Sequence, residues 1–235
     1  MRLNKYLAQS GECSRRQADK NVLDGMVTVN GILELNPAYH VSDLDEVRFD
    51  GRKISPEKRI RTILLNKPEG FITTMKDPKG RKTIIDLIDS SERLFPIGRL
   101  DKDTCGVLLL TNNGNLANLL MHPKNRIERI YELEIDTPFQ SWEKRKIANK
   151  VYIGQKEWGR AEVLNQKKVK GRVIAQLKLL QGKKREVRRI AYRMKKTLFS
   201  LKRIQFGPIR LDNTPKGSYR DLTNNELKQL KSLQK

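Results

Sequence analysis

The sequence contains few of the residues that build metal centres, disulfide frameworks or aromatic binding surfaces. Among 235 residues there are two cysteines and two histidines, and aromatic residues make up 6%. Cys13 and Cys105 lie far apart and neither belongs to a Cys-x-x-Cys pair, whereas a zinc site needs about four nitrogen or sulfur ligands at characteristic spacings. We therefore expect no metal and no large surface for stacking single strands. Both cysteines are interpreted as small buried hydrophobic residues.

Long apolar segments are also missing. No run approaches the roughly 18 apolar residues of a membrane-spanning helix, and no basic segment followed by an apolar stretch opens the chain. We expect a cytoplasmic protein with no membrane partner. The sequence also has no Gly-rich, Lys-containing phosphate loop and no Gly-x-Gly-x-x-Gly segment after a strand. Nucleotide cofactors are therefore disfavoured, and we expect no cofactor.

Positive charge is what the sequence has in excess. Lys and Arg number 49 against 27 Asp and Glu, a net charge of +22, while hydrophobic residues still make up 37%. That hydrophobic content suffices for a folded core. The charge favours a polyanionic partner, because each neutralised phosphate releases a condensed counterion. Nucleic acid is therefore the leading class of partner.

Residues 1–55 have the pattern of a small domain made of two short helices and a small sheet. The second helix follows Ser14, whose side chain fits a capping box with that of Gln17. Polar residues 56–61 are typical of a linker. The division leaves residues 62–235 for a second domain.

Basic residues are concentrated on the two helices of this first domain. Solvated helix faces are the commonest reason for such a cluster, but a phosphate-binding face ahead of a small sheet is the sharper interpretation. Segments 2–7, 14–19 and 27–31 together resemble the alpha-L RNA-binding domain, which occurs in a small-subunit ribosomal protein and in several RNA-modifying enzymes. The resemblance covers about residues 1–50 and implies that the following side chains bind RNA: Arg2, Lys5, Arg15, Arg16 and Lys20.

The second domain mixes strand and helix patterns without a regular β-α-β alternation. Strands are predicted at 62–65, 106–111, 130–135, 151–153, 160–165, 173–180 and 198–206. Helices are predicted at 84–88, 115–121, from Thr137-Pro138 to 149, at 184–194 and after the Thr223 capping box. The fold class is therefore α+β, with a mixed, largely antiparallel sheet and flanking helices.

Asp101 stands out among the carboxylates. It lies in a loop with glycine at both ends, and Arg99 and Lys102 are its neighbours. A carboxylate among cations favours the ionised form that a nucleophile requires. A structural ion pair remains the more frequent explanation on these residues alone. Joint action with Asp103, as in a hydrolase or a metal-dependent nuclease, lacks a clear acid–base division and further clustered carboxylates.

Four segments in order resemble the pseudouridine synthases that modify ribosomal RNA through a single aspartate. They are residues 65–70, 98–114, 128–131 and 182–190. Behind an alpha-L domain, they extend the resemblance over nearly the whole chain. Two further segments, 77–81 and 119–123, are most similar to the subgroup of large-subunit synthase B.

The resemblance implies an isomerase that detaches uracil from ribose, rotates it and rejoins it through C5, without a cofactor or metal. Asp101 would be the nucleophile or the stabiliser of a sugar cation, and Arg188 would pair with it. Tyr131 would stack on the target base and handle the proton at C5. The target uridine must flip out of folded RNA. Four more residues are implied in RNA binding: Lys67, which supports the loop or the RNA backbone, Arg99, Arg185 and Val187.

The implied partner is ribosomal RNA of the large subunit, free or in an assembly particle, and the protein is expected to be a monomer. Small-subunit RNA or another large-subunit site is the alternative substrate. A non-catalytic ribosome-assembly factor on the same scaffold is the alternative function. A degenerate enzyme would be expected to lack at least one of Asp101, Tyr131 and Arg188, and all three are present. The basic segment 167–172 is either a hairpin that touches RNA or a solvated loop.

Overall fold

Two helices and two hairpins make up most of the first unit of the structure. The computed structural model describes residues 1–233 and assigns to this unit Met1–Arg61, Ser90–Leu94 and Thr111–Gly114. Its elements are α1 (Leu3–Gln9), α2 (Arg15–Leu23), β1 (Val27–Val29), β2 (Ile32–Leu33), β3 (Val47–Phe49) and β4 (Arg52–Lys53). The strands form an antiparallel sheet in the order β2-β1-β3-β4. Residues 56–61 fall within this unit, and the domain boundaries given above stay a prediction.

Turn and cap chemistry explains where these elements begin and end. Asn30 and Gly31 have φ values of 52° and 81°, the positive values that a type I′ hairpin turn requires. Ser14 Oγ accepts a hydrogen bond from the backbone N–H of Gln17 at 3.2 Å, which caps α2. A capping box also needs the side chain of Gln17 to bind the backbone N–H of Ser14. That part of the prediction is wrong, because the Gln17 side chain donates to Asn21 Oδ1 at 2.9 Å.

The first unit has its own apolar core. Leu3 and Leu7 of α1 pack with Val22 of α2 and with Val27 of the sheet, and all four are fully buried. Cys13 belongs to this core as a buried free thiol. Cys105, in the second unit, is also buried and free, so the interpretation of both cysteines is confirmed.

The second unit comprises Thr62–Asp89, Phe95–Leu110 and the described residues from Asn115 onwards. Its strands are β5 (Thr62–Lys67), β6 (Phe95–Pro96), β7 (Cys105–Thr111), β8 (Arg129–Ile135), β9 (Val151–Gly154), β10 (Glu157–Gly159), β11 (Glu162–Val169), β12 (Arg172–Leu179), β13 (Leu198–Phe206), β14 (Ile209–Arg210) and β15 (Tyr219–Asp221). Its helices are α3 (Gly114–Met121), which begins at the last residue of the first unit, α4 (Ser141–Asn149), α5 (Glu186–Arg193) and α6 (Asn224–Lys231).

A nine-stranded mixed sheet organises this unit. The main path runs β11-β12-β8-β13-β7-β5-β15, with β14 on β13 and β6 on β7. Strands β13 and β7 are parallel, whereas β11, β12, β8 and β13 are antiparallel neighbours. One apolar cluster joins β8, β12, α4 and α5, and a second joins β7, α3 and α6. The α+β class with a mixed sheet is confirmed.

Two predicted helix starts are wrong. Helix α4 begins at Ser141 with Gln140 as its N-cap, rather than at Thr137-Pro138. The reason is that Phe139 is tied to β11, since its N–H donates to Gln166 Oε1 at 2.9 Å. Helix α5 begins at Glu186 rather than two residues earlier.

Across residues 1–233, no helix combines the length and apolar character needed to span a bilayer. In the same part of the chain, no three His, Cys, Asp or Glu side chains are grouped so as to hold a metal ion.

Candidate active site

The second unit contains a cavity of about 450 Å³, a size typical of small-ligand sites. It is bounded by the loop between β6 and β7, by the ends of β8, β12 and β13, and by the segment that leads into α5. Six predicted site residues meet there: Asp101, Tyr131, Arg188, Arg99, Arg185 and Val187. Residues from three separate sequence motifs therefore share one cavity.

Lys67, the last residue of β5, holds the backbone of the Asp101 loop through hydrogen bonds. The Lys67 side chain is fully buried. Its Nζ donates to the carbonyl oxygens of Pro68 at 2.9 Å, Thr104 at 3.0 Å and Asp101 at 3.1 Å, with that of Lys102 at 3.4 Å. Of the two roles predicted for Lys67, this geometry favours support of the loop.

Burial also sets the charge behaviour of Lys67. Desolvation lowers the pKa of its ammonium from 10.5 to about 8, although the nearby carboxylates of Asp101 and Asp103 act in the opposite direction. The residue before Asp101 is fixed as well, because the Thr73 hydroxyl donates to Leu100 O at 2.7 Å. The main chain is therefore anchored on both sides of the carboxylate.

Two arginines of the α5 region face the Asp101 carboxylate. Arg185 Nη1 lies 3.6 Å and Arg188 Nε lies 3.9 Å from Asp101 Oδ2. Arg188 Nη2 also donates to Asp103 O at 2.7 Å and to Thr104 Oγ1 at 3.3 Å. Arg188 thus contacts both the carboxylate and the loop that carries it. The Asp101 side chain remains 35% exposed, so a substrate can still reach it.

Arg185 lies closer to Asp101 than the sequence pattern indicated. It is the N-cap of α5 and has a left-handed backbone with φ of 53°, which places its side chain next to that of Arg188. The spacing of three residues was the signal for this shared face. Arg189, by contrast, pairs with Glu157 and donates to Ile153 O at 2.8 Å, and so fastens α5 to β9 and β10.

Tyr131 and Val187 supply the apolar part of the cavity. Tyr131 lies on β8, half-buried, opposite Leu177 of β12 and Arg203 of β13. Val187, in the first turn of α5, is 4% exposed. A half-buried aromatic ring beside a carboxylate suits a flipped base, because RNA-binding proteins stack unpaired bases on aromatic side chains.

Sequence reasoning missed a buried part of the cavity wall. Arg129 of β8 and Arg203 of β13 both line the cavity, and Arg203 is only 2% exposed. Each guanidinium carbon lies 5.1 Å from the centre of the Phe206 ring. Burial and the charge of Arg203 lower the pKa of Arg129. The available signal was alternation, which puts Arg129 on the same strand face as Tyr131.

The cavity as a whole is cationic. Seven of its lining residues are basic, namely Arg99, Arg129, Lys183, Lys184, Arg185, Arg188 and Arg203, against the two acids Asp101 and Glu186. Glu186 is 3% exposed, and its carboxylate accepts from the backbone N–H of Lys183 at 3.1 Å. Burial raises the pKa of Glu186. The arrangement leaves Asp101 as the exposed carboxylate and offers anionic substrates a site.

The basic residues predicted on the first unit lie on its surface. Arg2, Arg15, Arg16 and Lys20 are exposed and Lys5 is partly exposed. The two helices that carry them are joined by a hydrogen bond from Asn4 Nδ2 to Asp19 Oδ1 at 2.7 Å. These side chains are therefore accessible to a polyanion.

Both units match families of known proteins. Residues 61–192 match the family described as RNA pseudouridylate synthase, and residues 1–47 match the S4 domain. The ribosomal large subunit pseudouridine synthase B of Bacillus subtilis (strain 168) is 35% identical over 99% of this chain and 96% of its own. The dual-specificity RNA pseudouridine synthase RluF of Escherichia coli (strain K12) is 35% identical over 97% of this chain and 77% of its own.

A solved structure described as a pseudouridylate synthase has the same fold. It superimposes with a TM-score of 0.69 at 26% identity and covers 98% of this chain and 99% of its own. The similarity thus spans both units.

Proposed function

The chain belongs to the RNA pseudouridylate synthase family, and from this premise we propose that it converts a uridine of large-subunit ribosomal RNA to pseudouridine. The observation that carries the proposal is Asp101, an exposed carboxylate on an anchored loop, in a cationic cavity that also holds Tyr131 and Arg188. The Bacillus subtilis relative, which is named for the large ribosomal subunit, supports that choice of RNA. The dual-specificity relative from Escherichia coli makes other RNA sites the alternative.

The residues of the cavity divide the reaction between them. The C1′–N1 bond of the target uridine breaks and a C1′–C5 bond forms, while C5 loses a proton and N1 gains one. Asp101 acts at C1′, as a nucleophile or as the counter-charge to a sugar cation. Arg185 and Arg188 orient its carboxylate. Tyr131 stacks on the flipped base and takes part in the proton transfer at C5.

Binding of the RNA involves both units. The exposed basic residues of α1 and α2 contact phosphates, in keeping with the S4 domain. At the cavity, exposed Arg99 holds the strand beside the flipped nucleotide, and Val187 packs against the base. The proposal places a monomeric enzyme in the cytoplasm, with ribosomal RNA or an assembly particle as its substrate.

The test is pseudouridine mapping on large-subunit and small-subunit rRNA transcripts and on assembly particles. We expect the wild type to make one new pseudouridine, and Asp101→Asn to make none while its RNA affinity stays within about 3-fold. Asp103→Asn is the matched control, because Arg188 contacts the backbone carbonyl of Asp103, and it should remain active.

Turnover by Asp101→Asn at a rate close to that of the wild type would contradict the assignment of the site. Modification of small-subunit RNA alone would contradict the choice of the large subunit.

A further inference from the structure

Arg203 is buried and Arg129 is partly buried, and the contacts around Asp101 use neither of these cations. Within the described chain, neither forms an ion pair with a carboxylate, and Arg203 Nη2 is buried without a hydrogen-bond partner. Arg203 Nε donates to Val107 O at 2.7 Å, and Arg129 Nη1 donates to Ile127 O at 2.9 Å. Carbonyls thus satisfy part of each guanidinium, and neither has a carboxylate in direct contact. Glu186 acts on Arg129 only from a distance, and burial raises the pKa of that carboxyl.

Two neighbouring cations with no carboxylate in direct contact are costly inside a protein, because each has lost hydration and the two repel each other. Proteins accept such a cost where the charge has a task, typically where the opposite charge develops during a reaction. Arg129 and Arg203 both line the cavity that contains Asp101. The two arginines therefore suit a negative charge that develops on the bound nucleotide.

The isomerisation creates such a charge on the base. When the C1′–N1 bond breaks, the electron pair stays on N1, and the detached uracil is an anion whose charge is shared by N1, O2 and O4. The base keeps that charge until an electron pair of the anion forms the C5–C1′ bond. Loss of the C5 proton and protonation of N1 then complete the neutral pseudouridine. Asp101 already faces Arg185 and Arg188, so the anion needs cations of its own.

We infer that Arg129 and Arg203, held against the ring of Phe206, form a cationic wall that stabilises the detached uracil anion while it rotates. Arg129, which is only partly buried, contacts the base. Arg203, at 2% exposure, acts from behind it through the low dielectric of the protein interior. This inference rests on the proposed function, since it assigns residues to the charge that this reaction develops.

A backbone phosphate fits this wall less well than the base does. The exposed cations of the cavity are Arg99, Lys184 and Arg185, and a phosphodiester reaches these first. The buried apolar ring of Phe206 belongs to the same part of the cavity lining, and this surrounding disfavours a hydrated phosphate. The two arginines also keep a planar, delocalised charge that matches that of the uracil anion.

The experiment measures single-turnover conversion at saturating RNA together with RNA affinity. We expect Arg129→Gln to lower the rate constant about 100-fold while the Kd changes less than about 3-fold. Arg129→Lys, which keeps the charge, should recover at least a tenth of the wild-type rate. Arg145→Gln, an exposed arginine of α4, is the control for loss of one positive charge and should match the wild type.

A substrate with 5-fluorouridine at the target position separates anion stabilisation from binding. Fluorine makes the uracil anion intrinsically more stable, so cleavage depends less on Arg129. We expect the loss caused by Arg129→Gln, followed as consumption of the original nucleoside, to be at least 3-fold smaller with 5-fluorouridine than with uridine. Equal losses with both substrates, or a rise in Kd that accounts for the whole effect, would overturn the inference.

Two controls keep the outcomes apart. Thermal unfolding of each variant shows whether it is folded. The same criterion, a Tm within a few degrees of the wild-type value, applies to a variant of the second arginine, Arg203→Lys. If the wild type makes pseudouridine and Asp101→Asn does not, the proposed function stands, and a fully active Arg129→Gln then refutes this inference alone. If the wild type is inactive on every RNA tested, both fail.

Discussion

Lys67 shows how one buried cation shapes the loop that carries Asp101. Lysine is seldom fully buried, and here the cost of burial is offset by hydrogen bonds to the carbonyl oxygen of Pro68 and to those of Asp101 and Thr104 in the β6–β7 loop. The same burial lowers the pKa of the ammonium to about 8. The residue is therefore charged at neutral pH at some cost in stability.

That cost predicts a pH dependence of stability. Between about pH 8 and 10.5 the unfolded chain binds more protons at Lys67 than the folded one, so this residue's contribution to the free energy of unfolding rises with pH in that window, by at most about 1.4 kcal/mol per pH unit. Urea unfolding of the wild type and Lys67→Met across pH 7 to 10 measures it. The wild type should gain stability relative to the variant above pH 8, and parallel curves would refute the prediction.

Some residues of the site could be predicted from the sequence and others could not. Asp101, Tyr131 and Arg188 carry motif resemblances, and the structure brings them to one cavity. Arg203 belongs to no segment that the resemblance used. It reaches the cavity because β13 pairs with β8, which places Arg203 opposite Tyr131. The packing of distant strands decides such contacts, and no local pattern encodes it.

At the level of elements, the close parallel pairing of β7 with β13 fixes the end of the Asp101 loop. Gly106, the second residue of β7, has φ of 103°, and a Cβ atom there would lie 2.1 Å from Arg203 O. Only glycine permits the two backbones to approach so closely. Strand β7 was predicted from its apolar run, but its parallel pairing with β13 was not, because strand order depends on long-range contacts.

The close approach predicts that Gly106→Ala destabilises the protein by at least about 2 kcal/mol, since both the backbone conformation and the contact become strained. Gly114→Ala is the matched control, because no atom lies within 4 Å of the position of its Cβ, and it should change stability by less than about 0.5 kcal/mol. Chemical denaturation of both variants gives the comparison. Similar denaturation midpoints for Gly106→Ala and Gly114→Ala would contradict the predicted strain at Gly106.

Caps and turns were the elements most readable from sequence. Thr223 and Glu226 exchange the two hydrogen bonds of a capping box at the start of α6, as the sequence predicted. The start of α4 was misplaced because a side chain of β11, Gln166, holds residue 139 outside the helix. The capping box of α6 was thus predicted from residues close in sequence, whereas the start of α4 depends on a distant strand.

For the whole molecule, a net charge of +22 makes RNA binding strongly salt dependent. If Arg15 and Arg16 each neutralise a phosphate, replacing both by Gln should lower the slope of log K against log salt by about 1 to 2 in magnitude. Titrations of RNA binding between 50 and 300 mM salt measure this slope. The control, Lys228→Gln with Lys231→Gln on α6, removes the same charge and should leave the slope nearly unchanged.

An unchanged slope in the Arg15 and Arg16 variant would show that α2 does not contact phosphates. Composition alone indicated a polyanion as partner, and the resemblance of residues 1–50 narrowed it to RNA. The particular RNA came from neither, because net charge and fold carry no information on which nucleotide enters the cavity.

The anchoring of the Asp101 loop through its backbone has a consequence for how such enzymes diverge. Lys67, Thr73 and Arg188 hold main-chain atoms of the loop, while the side chains of Lys102 and Asp103 are exposed. The identity of these exposed side chains is thereby uncoupled from the position of the carboxylate. We therefore expect single substitutions at these exposed positions to alter the surface that the loop presents without displacing the carboxylate.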